Sequence, residues 1–224
     1  KKYKKNYRLW DDNKEIRNKL KKIYKENIFI KPLKKNLNNF KNIYVSPGIT
    51  IRQEKFQIKN KRNKLKRDLN LYFSNITNEK IVSITGTNGK STSTKLIGDL
   101  LKKKKFDTFV GGNIGEPLCN SLIKKKKYKY HVIELSSFQL ETINNFNSHI
   151  SVITNISNDH TDRYRNISDY VNQKKKIISN SGYNLISIDD KYSKRIFYKK
   201  DNLTKISFST LNPNANIFIN EKLI

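Results

Sequence analysis

Ile84-Thr85-Gly86-Thr87-Asn88-Gly89-Lys90-Ser91-Thr92 is the stretch on which the reading of this chain turns. An apolar run over residues 81–85 reads as a short strand, and residues 91–101 carry a helical pattern. Strand, glycine-rich turn and helix form the context that a phosphate loop requires. The glycines Gly86 and Gly89 let the backbone come close to oxygen atoms. Backbone N–H groups of the loop and the helix N-terminus then face an anion. Lys90 is placed to reach terminal phosphates. Ser91 offers a hydroxyl to a magnesium ion, and Thr92 a second hydroxyl nearby. The spacing is G-x-x-G-K-S, shorter than the common G-x-x-x-x-G-K-S, and Ile84 stands where the longer motif has its first glycine. The competing reading is a glycine-rich turn that binds nothing.

Working outward, residues 130–135, 149–155, 183–188 and 205–208 read as further strands. Helical stretches over residues 169–179 and 191–198 alternate with them. That alternation predicts an α/β fold, a mostly parallel sheet with helices on both faces. The lysine run 102–105 is expected to end a helix and the run 124–127 to lie in a surface connection. Residues 1–79 differ in texture, with a helix over 12–24, a strand over 42–45, the turn Ser46-Pro47-Gly48 and a short element over 66–73. Two domains are expected, residues 1–79 and 80–224.

Ligands on such sheets gather at the carboxyl ends of the strands. The string His131-Val132-Ile133-Glu134-Leu135-Ser136-Ser137-Phe138-Gln139 ends its strand with a carboxylate. Beside a phosphate loop, Glu134 is placed to hold the magnesium that bridges nucleotide phosphates. Ser136, Ser137 and Gln139 add polar groups at the same edge. After the next strand, Asn155-Ile156-Ser157-Asn158-Asp159-His160-Thr161-Asp162-Arg163-Tyr164 packs carboxylates, imidazole, guanidinium and phenol together. His160 can ligate a second divalent ion through a neutral ring nitrogen, with Asp159 supporting it. A solvated polar loop is the other reading. His131 and His149 begin their strands, at the opposite end of the sheet, and read as structural.

The composition limits the alternatives. The chain has 224 residues and a formal net charge of +28. A basic chain raises nucleic acid as a partner. Here, however, 39 Lys face only 8 Arg, spread along the whole length among 30 Asn. That pattern fits solvated lysine and an AT-rich coding sequence better than the arginine forks that read bases. No apolar run approaches the roughly 18 residues of a membrane span, and the lysine-rich start lacks a signal peptide's apolar segment. Cys119 is the one cysteine, which fits the reducing cytoplasm. The absence of methionine leads us to expect a piece of a longer chain.

Taken together, Val45-Ser46-Pro47-Gly48-Ile49, the loop 84–92, Gly111-Gly112-Asn113-Ile114-Gly115, ELSSFQLE at 134–141 and DHTDRY at 159–164 resemble the Mur ligase family. The combination is similar to the members that add D-glutamate to UDP-N-acetylmuramoyl-L-alanine in peptidoglycan precursor synthesis. The resemblance implies a monomeric ATP-dependent ligase with two Mg²⁺ ions and no nucleic-acid or membrane partner. It implies that residues 86–92 bind ATP, that Ser91, Glu134 and His160 serve the metals, and that Asn113, Ser136 and His160 contact the acceptor substrate. It also implies a lysine carried as a carbamate that ligates the second ion. In Tyr170-Val171-Asn172-Gln173-Lys174-Lys175-Lys176-Ile177 the register points to Lys174. Lys90, Glu134, His160 and Lys174 are thus the expected catalytic set. A sibling ligase, a folylpolyglutamate synthase-like ligase, or a noncatalytic nucleotide- or nucleic-acid-binding protein are the alternatives. The family's glycine-rich uridine diphosphate turn and its C-terminal amino-acid-binding domain have no counterpart in these residues.

Overall fold

The computed structural model describes residues 7–25, 28, 36–51, 53, 56–58, 64–124, 126–159, 163–180 and 182–220. The chain forms two compact units, residues 1–43 with 51–65, and residues 44–50 with 66–224. In the first, helix α1 (Lys14–Tyr24) starts at Asn13, whose side chain accepts the N–H groups of Glu15 and Ile16. Lys21 and Lys22 in its last turn suit the negative end of the helix dipole. Two short strands, β1 (Ile43–Tyr44) and β2 (Leu65–Lys66), lie where the chain passes between the units.

The second unit is built on a seven-stranded sheet. Its strands are β3 (Lys80–Thr85), β4 (Thr108–Gly112), β5 (Tyr130–Glu134), β6 (Ile150–Ile153), β7 (Tyr183–Ser187), β8 (Lys205–Ser209) and β9 (Ile217–Phe218). They pair in the order β4-β5-β3-β6-β7-β8-β9, every pairing parallel. From β3 the chain runs outward to β4, returns through β5, and crosses to the other side of β3 as β6. That reversal makes the carboxyl end of β3 the switch point at which such sheets take their ligands.

Period-two alternation sends successive side chains to opposite faces. Ile81, Ile133, Ile153 and Ile186 pack with Leu69 and Tyr72 of α2 (Asp68–Phe73), Leu140 of α5 (Ser137–Leu140), Tyr170 of α6 (Ile167–Lys175) and Ile196 of α7 (Lys191–Tyr198). Val82, Ile84, Val132, Val152 and Leu185 form the second core, with Ile97 and Leu101 of α3 (Lys90–Lys103) against them. One more short helix, α4 (Asn120–Ile123), follows β4. Each fully buried isoleucine contributes roughly 1.5–3 kcal/mol, so the two faces account for much of the sheet's stability.

The predicted α/β class is the one observed, and the predicted strands and helices recur with ends shifted by a few residues. Two strands carry no clear sequence pattern. β4 ends in Gly111-Gly112, which offers no side chains to read, and β9 is two residues long. His131 and His149 sit at the amino end of the sheet, as expected. His131 is buried, its Nδ1 2.6 Å from the Tyr72 hydroxyl, and burial pushes its pKa down. His149 Nδ1 accepts the Ile81 N–H at 3.2 Å.

Candidate functional site

The phosphate loop leaves β3 at Gly86 and enters α3 at Lys90. Gly89 takes the cap position at φ 79°, a left-handed conformation that side chains other than glycine resist. The loop is stapled to the segment that follows β6. Thr87 N–H donates to the Asn155 carbonyl at 2.9 Å, and Asn88 N–H to the Asn155 side-chain oxygen at 2.9 Å. In return, the Asn88 carbonyl accepts from Thr154 Oγ1 at 2.7 Å and from Asn155 Nδ2 at 3.0 Å. The Ile156 N–H in turn donates to Asp190 at 3.0 Å, which ties this segment to the end of β7. Lys90 Nζ donates to the Thr87 carbonyl at 2.7 Å. Ser91 is half-buried and Thr92 exposed in the first turn of α3.

Helix α6 reaches the same loop. Asn166 caps it by accepting the Asp169 N–H at 2.9 Å. Its two buried residues, Tyr170 and Lys174, stand four apart and therefore on one face. Tyr170 Oη lies 3.3 Å from Thr87 Oγ1, and Lys174 Nζ donates to the Gly86 carbonyl at 2.5 Å. Of the three adjacent lysines, only Lys174 is buried. Burial, with the like charge of Lys90 nearby, pulls its pKa from 10.5 down to about 7, while Asp159 and Glu134 act to raise it.

Glu134 ends β5 at 1% exposure. Asn113 Nδ2 donates to its Oε1 at 3.0 Å, and Asn113 N–H donates to its carbonyl at 2.9 Å. That approach needs Gly112, because a Cβ there would stand 2.2 Å from the Glu134 carbonyl oxygen. Glu134 Oε2 is buried with no hydrogen-bond partner among the described residues. An orphaned buried carboxylate oxygen is unfavourable unless a cation takes it. The donor set therefore fits magnesium. Among the described residues no group of three or more His, Cys, Asp or Glu side chains forms. A divalent ion here would draw instead on Glu134, the Ser91 hydroxyl and phosphate oxygens.

The structure thus brings together Gly86, Thr87, Asn88, Gly89, Lys90, Asn113, Glu134 and Lys174. His160 lies outside the described residues. Ser136 spends its side chain locally. It accepts the Gln139 N–H at 3.3 Å, and Gln139 Oε1 accepts the Ser136 N–H at 3.2 Å, which caps α5. Sequence reasoning missed Asn155, Thr154 and Tyr170 as supports of the phosphate loop. The Asx chemistry of Asn155 beside a strand end was the available signal.

Residues 84–223 match the family described as Mur ligase middle domain. The UDP-N-acetylmuramoylalanine--D-glutamate ligase of Wolbachia pipientis wMel is 38% identical over 194 residues, 85% of this chain and 37% of that protein. The enzyme of the same description from Rickettsia bellii (strain RML369-C) is 36% identical over 207 residues, 89% of this chain and 45% of that protein. The chain spans less than half the length of either relative. A solved UDP-N-acetylmuramoyl-L-alanyl-D-glutamate--2,6-diaminopimelate ligase superposes with a TM-score of 0.55 at 23% identity, covering 69% of this chain and 37% of that one. A MurF structure from Acinetobacter baumannii gives 0.51 at 20% identity, with 67% and 34% covered. Both show the shared fold.

Proposed function

The chain belongs to the Mur ligase family, and from that premise we propose that its parent protein joins D-glutamate to UDP-N-acetylmuramoyl-L-alanine using ATP. The observation that carries a ligase reading is a buried lysine and an unpartnered carboxylate oxygen set beside a phosphate loop. The descriptions of the relatives support D-glutamate as the amino acid. Residues 1–79 are read as the remainder of the acceptor-binding domain and residues 80–224 as the ATP-binding domain. The setting is read as cytoplasmic and the protein as a monomer. No helix among the described residues is long and apolar enough to cross a membrane.

In the proposed reaction the acceptor carboxylate attacks the γ-phosphate of ATP, giving an acyl phosphate and ADP. The amine of D-glutamate then attacks that carbonyl, and phosphate leaves. Both reactants are anionic, so the chain's task is to position them and offset repulsion. The N–H groups at the start of α3, and the Lys90 ammonium once it leaves the Thr87 carbonyl, would hold the phosphates, whereas the Thr87 and Asn88 N–H groups are spent on Asn155. Asn113 orients Glu134, and by family resemblance Asn113, Ser136 and His160 face the acceptor. Glu134 and Ser91 would hold one magnesium, and His160 with a carbamate on Lys174 a second. Bound magnesium supplies charge neutralisation on the transferring phosphoryl group. A carbamate forms only on a neutral amine, with CO₂ adding to the Lys174 nitrogen and a proton leaving. The lowered pKa of Lys174 makes that amine available near neutral pH.

The test uses the full-length parent with UDP-N-acetylmuramoyl-L-alanine, ATP and single amino acids. ADP release dependent on D-glutamate is the expected result. ADP release with L-lysine or diaminopimelate on the next precursor would overturn the D-glutamate assignment.

A further inference from the structure

Glu141 lies outside the phosphate site and carries none of its chemistry, yet two arginines converge on it. Its Oε2 accepts from Arg67 Nη2 at 2.6 Å and from Arg163 Nη2 at 3.2 Å. Its Oε1 accepts from the Tyr164 hydroxyl at 3.4 Å. Arg67 is completely buried. Its Nη1 donates to the carbonyls of Val45 and Ser46, and its Nη2 to that of Ile49 at 2.9 Å. Arg163 donates to the carbonyls of Gly48 and Ile49, both at 3.3 Å, and lies 3.8 Å over the Phe138 ring.

Four carbonyls of one turn are therefore gripped by two guanidinium groups that share one carboxylate. Within residues 44–50 only Val45 is buried. Beyond Val45 and two backbone bonds, the arginine forks hold this turn. Burying charge to fix a surface turn is unfavourable unless the pairing is complete, so the arrangement calls for a purpose beyond local stability. The course of the chain supplies one. Residues 44–50 belong to the second unit, although the chain on both sides of them belongs to the first. The chain passes between units at 43/44, 50/51 and 65/66. Each passage falls within two residues of a group in this cluster, namely Val45, Ile49 and Arg67. Glu141 also follows α5 directly, which begins just past Glu134, and Arg163 closes the segment that contains His160.

We propose that Arg67, Glu141 and Arg163 form a clasp that anchors the points where the first unit is tethered, with Glu141 a positioning residue for use of the acceptor substrate. This rests on the reading of residues 1–79 as part of an acceptor-binding domain. The bonds that hold the clasp run to the turn and among its own side chains rather than to the phosphate loop, so KM for ATP is expected to change little.

The experiment uses the full-length parent carrying Glu141→Gln, which keeps the shape and removes the charge that both arginines share. Hydrogen exchange reads the turn directly. The Val45 N–H bonds the Lys66 carbonyl at 2.9 Å and the Ile49 N–H bonds the Ser46 carbonyl at 3.0 Å. We expect these amides to exchange about tenfold faster, with those of Leu135 and Thr154, which bond β3 carbonyls, changed less than about twofold. In steady state, KM for the acceptor rises about fivefold or more and KM for ATP stays within about twofold. Glu141→Asp recovers part of both effects, and Arg163→Lys, which keeps the Arg67 pair, gives the same pattern more weakly. Unchanged exchange of the turn in a folded Glu141→Gln protein would overturn the clasp. So would equal rises in both KM values with loss of sheet protection, which would mark a purely structural residue. Failure of the wild-type parent to release ADP with D-glutamate would sink the functional reading alone, because exchange still decides the clasp.

Discussion

Replacing Lys174 by methionine removes a buried amine while keeping most of its volume, and the pH dependence of stability should report the difference. The amine has a pKa of about 7 in the folded chain against 10.5 when exposed. Below about pH 6 both folded and unfolded chains carry the proton, so this group contributes no slope there. Between about pH 7 and pH 10 the unfolded chain holds more protons than the folded one. Stability then rises with pH, by up to about 1.4 kcal/mol per pH unit. Integrating from pH 7 to pH 9 gives about 2 kcal/mol, lost again as pH falls back through 7. Urea midpoints of the wild type and of Lys174→Met would be compared at fixed pH in buffer freed of CO₂, which keeps the amine unmodified. The difference between the two chains cancels titrations common to both. The wild type should gain about 2 kcal/mol on the variant across that interval. Parallel profiles would show that water reaches the amine, and the reasoning from burial would fail.

Glu134→Gln should lower ATP-dependent turnover of the full-length parent by about a hundredfold or more, yet leave the urea midpoint equal or higher, because it neutralises an oxygen that lacks a partner. A falling midpoint with retained activity would contradict the assignment. Gly86→Ala would put a Cβ 1.9 Å from Thr154 Oγ1 and 3.1 Å from the Asn155 carbonyl oxygen. The forced shift should cost about 1–3 kcal/mol in urea unfolding and weaken nucleotide binding measured by calorimetry. Tyr72→Phe leaves His131 Nδ1 without its 2.6 Å partner. It should destabilise the chain by about 1–2 kcal/mol at pH 7 without altering nucleotide affinity, since it acts at the far end of the sheet.

How much was legible depended on distance along the chain. The phosphate loop was plain because strand, turn and helix are contiguous and its glycine and lysine have no other economical use. Glu134 was legible as a lone carboxylate ending an apolar strand. The choice of Lys174 over its neighbours is a matter of helix geometry. Each step along α6 turns about 100°, so only the lysine four residues after the apolar Tyr170 returns to the buried face. The register of the family resemblance had pointed to Lys174 among three identical side chains, and this spacing gives the physical reason. The clasp was not legible as a unit. Its partners are 74 and 22 residues apart, and pairing at that range leaves no periodic trace. Arg67 stands between Lys66 and Asp68, so nothing in its neighbourhood marked it as the buried cation.

The electrostatics of the site link its parts more tightly than their separate descriptions convey. Four charged groups interact here among the described residues, Lys90 and Lys174 against Glu134 and Asp159. With Lys174 as an ammonium the four sum to zero, and the carboxylates balance the lysines. With Lys174 neutral the sum is −1, and with a carbamate on its nitrogen the sum is −2. In the proposed reading a divalent cation would then restore the balance and take the Glu134 oxygen that lacks a partner. In the proposed reading, carbamate formation and metal uptake are therefore linked reactions. Each removes the charge imbalance that the other creates, and by linkage each raises the affinity for the other. On that reading the buried lysine, the orphaned oxygen and the phosphate loop would act as one device whose occupancy depends jointly on CO₂, divalent cation and nucleotide.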